Sequence, residues 1–233
     1  MYEEKIIPPK KAMPQAQDGT LRKFALRVPE VIYQCSGIMV FGKRIKSLVF
    51  STDLSIIKNV NADAIIAVYP FTPQPIITQA LLLAADIPVF AGVGGGLTKG
   101  QRVVNLAMFA EMQGATGVVV NAPTANTVVQ HVAETIDIPV VVRVARADTD
   151  FEARLQAGAN IFNVSAAAET PAIVRSIRER YPDVPIIATG GPTDESILET
   201  IQAGANAITW TPPSNGEIFR DIMAAYRDNK PHP

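Results

Sequence analysis

The feature that most constrains this chain is an internal repeat. Gln156-Ala-Gly-Ala-Asn160 returns as Gln202-Ala-Gly-Ala-Asn206, with Gly158 and Gly204 46 residues apart. Gln113-Gly-Ala-Thr-Gly117 is a looser copy. In each, a glycine closes an amphipathic stretch, as a left-handed residue does at a helix end, and a short apolar run follows. A second punctuation alternates with the first. Asp86-Ile-Pro88, Asp137-Ile-Pro139 and Asp183-Val-Pro185 each open another apolar run. Runs of this length with no polar alternation are strands buried on both faces. Strands alternating with helices mean a parallel sheet with right-handed crossovers.

Counting the units gives eight. The strands fall at 47–52, 63–69, 88–93, 117–122, 139–144, 160–165, 185–190 and 206–211. Helices are predicted at 73–85, 99–113, 126–136, 148–156, 171–180, 194–202 and 214–227, with a short one at 54–60. Eight such units predict an α/β fold, a (β/α)₈ TIM barrel over residues 47–233. A doubly wound open sheet is the alternative, disfavoured because no Gly-x-Gly-x-x-Gly follows the first strand. Residues 1–46 form an N-terminal arm and hairpin. Residues 1–20, rich in Pro, Lys and Gln, read as an extended arm, and residues 37–46 as two extended pieces meeting near Gly42. Placed before the first strand, that hairpin is expected to plug the barrel's N-terminal end.

The net charge of -1 supplies no bulk attraction for nucleic acid. Residues 1–50 hold nine Lys/Arg against four Asp/Glu, a basic segment read as a solvated face. The lone cysteine, Cys35, has no disulfide or metal partner; it reads as a buried small residue and points to a reducing, cytoplasmic setting. No apolar run of membrane-spanning length lacks a charge, so no membrane partner is expected.

In barrels of this kind chemistry sits at the C-terminal strand ends and the loops beyond them. Asp53, closing the first strand, is a candidate base or Mg²⁺ ligand, or else the N-cap of the first helix. Arg143 interrupts an otherwise apolar strand; a charge there needs an ion-pair partner or an anionic ligand. Asn121 and Asn163 end the fourth and sixth strands, suited to orienting a substrate or to joining strands. Gly94 and Gly95, with Lys99 nearby, offer backbone N–H groups to an anion, as do Gly190 and Gly191 after the seventh strand. Trp210 and the stiff Pro212-Pro213 loop are expected to wall the pocket. His131 and His232 are not placed as bases, no lysine lies within a strand, and no metal-spaced cluster or Gly-x-Ser-x-Gly elbow occurs.

Thr189-Gly-Gly-Pro-Thr193 and the following helix to Asn206 resemble the phosphate-binding barrel superfamily, which includes thiamine-phosphate synthase and IMP dehydrogenase. The resemblance implies a phosphate cup at Gly190 and Gly191, completed by Ser214 at the start of the last helix. Residues 36–53, Ser-Gly-Ile-Met-Val-Phe-Gly-Lys-Arg-Ile-Lys-Ser-Leu-Val-Phe-Ser-Thr-Asp, are similar to uncharacterised bacterial TIM-barrel proteins that carry a hydrolase label. Together these imply a metabolic enzyme, hydrolase or lyase/isomerase, acting on a small anionic, phosphorylated metabolite. Two alternatives stay open: an FMN-dependent oxidoreductase with its phosphate at Gly190-Gly191, and a barrel that binds a metabolite without catalysis. Self-association into a homo-oligomer is expected of such barrels.

Overall fold

The structure, a computed structural model, describes residues 25–232. The arm expected over residues 1–20 lies outside them. A hairpin of β1 (Ile38–Val40) and β2 (Lys43–Ile45) comes first. The barrel strands are β3 (Ser47–Phe50), β4 (Ala64–Ala67), β5 (Val89–Gly94), β6 (Gly117–Val120), β7 (Val140–Val144), β8 (Ile161–Val164), β9 (Ile186–Thr189) and β10 (Ala207–Trp210). Between and after them run α1 (Leu54–Lys58), α2 (Pro75–Ala84), α3 (Gln101–Met112), α4 (Asn126–Thr135), α5 (Phe151–Gln156), α6 (Thr170–Arg180), α7 (Asp194–Gln202) and α8 (Asn215–Arg227). All eight barrel strands pair in parallel, and β10 pairs with both β9 and β3, which closes the ring. Closure excludes the open doubly wound sheet. The strands lose a residue or two at the predicted ends because pairing stops where the loops leave the ring.

The period of two along each strand sorts its side chains. Leu48, Ile66, Phe90, Val119, Val141, Ile161 and Ile187 fill the barrel interior. Their neighbours Val49, Ile65, Val118, Val142, Phe162 and Ile208 face the helices. Phe90 dictates its surroundings: a Cβ on Gly117 would stand 2.6 Å from its ring, so only glycine fits there.

The hairpin plugs the barrel as expected. Ile38, Val40 and Ile45 are buried in the same cluster as the barrel interior. Each contributes roughly 1.5–3 kcal/mol of hydrophobic stabilisation. The turn is tight: Phe41 (φ 46°) and Gly42 (φ 77°) both adopt left-handed backbone, the geometry that matches the twist of two-residue hairpins. Cys35 is buried beneath this region, and burial pushes its thiol up to about 12, consistent with an inert core residue.

The repeat has a structural explanation at the N-terminal rim. After α3, α5 and α7 the chain makes the same helix stop. Ala115, Ala159 and Ala205 N–H groups donate back to Ala110, Arg154 and Thr200 carbonyls, with Gly114, Gly158 and Gly204 at positive φ. The asparagine that follows then serves the neighbouring strand. Asn160 Oδ1 accepts from Val140 N–H at 2.8 Å, and Asn206 Oδ1 from Ile186 N–H at 2.9 Å. Asp63 does the same for Lys46 and Ser47 N–H. Arg178 ties the rim together, donating to the carbonyls of Gly204, Val184 and Pro182 and to Asn206 Oδ1.

Candidate functional site

The opposite end of the barrel holds a central cavity of about 130 Å³. It is lined by Phe50, Val68, Val119, Asn121, Arg143, Asn163, Ser165, Thr189, Thr209 and Thr211. The lining comes from inward-facing positions one step beyond the apolar interior layer, so each polar group sits on a strand or just past its end. Asn121 follows β6, Arg143 is on β7 and Asn163 on β8; Arg143 and Asn163 are register partners. A second hollow of about 210 Å³ shares Val68, Val119 and Asn121 with the first. It opens between the 69–73 loop and the glycine-rich 94–98 loop.

Among the described residues Arg143 is the only charged one on either lining. It takes part in none of the ion pairs among the described residues; its side chain donates a 3.3 Å hydrogen bond from Nη2 to Ser165 Oγ. Around it lie polar atoms without partners. Among the described residues six buried side-chain oxygens accept or donate no hydrogen bond, on Thr98, Gln113, Asn121, Thr124, Asn163 and Thr209. Four of these residues, Thr98, Asn121, Asn163 and Thr209, line the two hollows. Asn163 (8% exposed) and Thr209 (6%) are more than nine-tenths buried. An orphaned buried polar atom costs about 1–3 kcal/mol, so their gathering along these two adjoining hollows marks a place built for something else to fill.

Loop geometry holds this lining still. Asn121 Nδ2 donates to Gly95 O at 3.0 Å. Gly95 (φ 93°) must be glycine, because a Cβ would meet Thr124 Oγ1 at 2.4 Å and Asn121 Cβ at 2.8 Å. From α5, Arg154 donates to the carbonyls of Ala122 and Thr124, clamping the loop after β6. Neither Arg154 nor the threonines 98 and 124 stands out in the sequence. Arg154 is one of several charges on a short helix, and its target carbonyls lie about thirty residues away.

The other sequence candidates stand elsewhere. Asp53 is the N-cap of α1, and both of its oxygens are engaged. Oδ1 accepts from Ser55 N, Ser55 Oγ and Ile56 N; Oδ2 accepts from Asn215 Nδ2. The Ser55 hydroxyl, first among these donors, holds its pKa below the usual carboxylate value. Asp53 does not line either hollow; the reading as base or Mg²⁺ ligand gives way to the cap. Ser214 closes a capping box with Glu217, donating to and accepting from that residue, so its hydroxyl is occupied. Gly190 is glycine for packing: a Cβ would stand 2.7 Å from Ile197 and 2.9 Å from Ile208. Gly191 (φ 84°) makes the turn into α7, whose first turn is capped by Thr193 and Ser196 and carries Asp194 and Glu195. Two carboxylates at that helix start oppose a phosphate there. Gly94 and Gly95 line the second hollow, while Lys99 is exposed and on neither lining. Trp210, expected to wall the pocket, instead packs outward with the helix-facing cluster.

No protein-family model and no curated protein matches the sequence. Solved structures match in fold. One is a phosphonopyruvate hydrolase in complex with oxalate and Mg²⁺ (14% identity, TM-score 0.59, covering 80% of this chain and 84% of that one). Another is a phosphoenolpyruvate phosphomutase from Streptomyces platensis subsp. rosaceus (15%, 0.59, 85% and 86%). A third is an aldolase, QR15 (17%, 0.55, 78% and 95%). At these identities the likeness is one of fold: an α/β barrel of the kind on which such enzymes are built.

The cofactors raised by sequence meet this geometry differently from expectation. Among the described residues no group of three or more His, Cys, Asp or Glu side chains is placed to hold a metal ion, and no carboxylate lines the mouth. Mg²⁺ is commonly held by one or two carboxylates together with water and substrate oxygens, and Asp53, the carboxylate the sequence offered for it, caps α1 away from both linings. The self-capped, acidic start of α7 does not fit an FMN phosphate at Gly190-Gly191. Among the described residues no helix is long and apolar enough to cross a membrane.

Proposed function

We propose that this barrel is an enzyme of small-molecule metabolism whose mouth binds a small anionic substrate bearing a carboxylate or phosphate. One observation carries the reading: Arg143, an exposed cation with no ion-pair partner among the described residues, stands beside buried polar atoms that no described residue satisfies. Arg143 provides a planar fork of donors suited to an oxyanion. Asn121 and Asn163 flank it, and Ser165 orients it. The reaction that suits this lining gathers negative charge on a substrate oxygen facing Arg143, stabilised by donors already in place. Lysis or isomerisation fits that description better than hydrolysis, since among the described residues no carboxylate or imidazole lines the mouth to activate water. The same lack of a base supports a second reading, a barrel that binds its metabolite without turning it over.

Calorimetric titration of pyruvate, phosphoenolpyruvate and inorganic phosphate tests the anion site. At least one binds the wild type, and Arg143→Gln weakens it by about 10- to 100-fold. Equal binding to both proteins overturns the reading. Assaying the bound anion for conversion separates enzyme from binder.

Self-association is part of the same proposal. On α2 the residues Ile76 and Leu83 are exposed, the helix carries no charge, and Phe109 and Met112 of the adjacent α3 are exposed beside it. An uncharged apolar face is complementary to its own copy across a two-fold axis. Sedimentation of the wild type and Leu83→Glu tests it: a dimer that the charge disperses supports it, and a wild-type monomer refutes it.

A further inference from the structure

The unsatisfied atoms around Arg143 specify more than an anion. Asn121 is the most informative, because its amide cannot turn over. Nδ2 donates to Gly95 O, and the reversed amide would set oxygen against oxygen. Its Oδ1 is therefore a fixed acceptor with no donor. Asn163 presents an amide with no hydrogen bond to its oxygen, and Thr209 a hydroxyl with none. These groups stand on or just after β6, β8 and β10, so they surround Arg143 rather than backing it from one side. A bare carboxylate or phosphate offers only acceptors. It would satisfy Arg143, and Asn163 through an amide free to turn its Nδ2 inward, but would leave Asn121 Oδ1 unpaired, at a cost in binding.

We infer that the ligand of this mouth is a hydroxylated acid: a carboxylate or phosphate carrying at least one O–H donor close to the anionic group. The inference rests on the anion site proposed above and narrows it. The anion pairs with Arg143 while a hydroxyl donates to Asn121 Oδ1, and Asn163, whose amide is free to turn, offers an acceptor or a donor. Thr209 serves as acceptor or donor as the ligand requires. The clamps that hold Asn121, Gly95 below and Arg154 behind, keep the acceptor in position before the ligand arrives, which limits the ordering cost of recognition. The central cavity, at about 130 Å³, takes an acid of a few carbons.

Matched probes test this. Glycerate is compared with propionate, and glycerol 3-phosphate with methyl phosphate, each titrated calorimetrically into the wild type; the pair that binds identifies the anionic group. The hydroxylated member is expected to bind about tenfold tighter or more. That preference collapses toward unity in Asn121→Leu. Asn121→Ala, which removes the same acceptor without adding bulk, gives the same reading if Asn121→Leu fails to fold by circular dichroism. Equal affinity within the binding pair overturns the hydroxyl inference and leaves the anion site standing. Absence of binding in both pairs removes the anion site and this inference together.

Discussion

The two ends of the barrel use the same residue types to opposite effect. At the N-terminal rim Asn160, Asn206, Asp63 and Arg178 have their side chains engaged with strand backbones, and the plug covers the interior. At the C-terminal mouth Asn121, Asn163 and Thr209 keep buried oxygens unpaired around a cation with no ion-pair partner. One end has its polar groups matched by the protein itself. The other keeps them unmatched, at a cost to stability that the fold must absorb. The contrast teaches that asparagine count or position near a strand says little; the partner of its amide says what it is for.

Several substitutions would break or sharpen this contrast. The largest effect is expected from Ile45→Asp. It buries a carboxylate in the plug and should cost about 4 kcal/mol or more, read as loss of a cooperative urea transition. Arg178→Ala comes next. It strips donors from Gly204, Val184 and Asn206 at once and should lower the unfolding free energy by about 2–3 kcal/mol, with anion binding at the distant mouth retained. Asp53→Ala should cost about 1 kcal/mol near neutral pH, as cap deletions do, again without loss at the mouth. Its pH dependence has a definite sign. The folded-state pKa of Asp53 is depressed, so its stabilisation is present above the unfolded carboxylate value, about 3.9, and is lost as pH falls through the folded value. Asp53→Ala should therefore flatten the acid limb of a stability–pH profile. A wild-type-like profile would show the cap to be unimportant.

Much of the architecture is legible in the chain because glycine stops and Asp-x-Pro starts are local signals tied to local geometry. The eight strands and the plug follow from them, with ends trimmed where pairing gives out. The site is less legible. Ser214 followed by Glu217 is a visible capping signature, and Asp53 followed by Ser55 is an equally local turn; both announce occupied side chains. The asparagines divide by which side of the apolar run they occupy: Asn160 and Asn206 precede their strands, while Asn121 and Asn163 end or nearly end theirs. Arg154 and Thr124 carry no such mark, because their partners are set by the way the ring closes. Gly190 looks like a ligand turn in sequence, and the fold adds a packing reason for glycine there that the sequence does not show, the closeness of Ile197 and Ile208.

The contrast between the two ends reduces to one paired experiment, urea denaturation of Asn206→Leu and Asn163→Leu, which exchange a branched amide for a branched apolar side chain. Asn206→Leu takes the acceptor from Ile186 N–H and from Arg178 and should destabilise by about 2–3 kcal/mol. Asn163→Leu removes an amide that nothing satisfies and should leave stability unchanged or raise it by up to about 1 kcal/mol, while weakening ligand binding. A comparable loss of stability in both would contradict the account, for it would mean that the mouth, like the rim, is built to hold the barrel together.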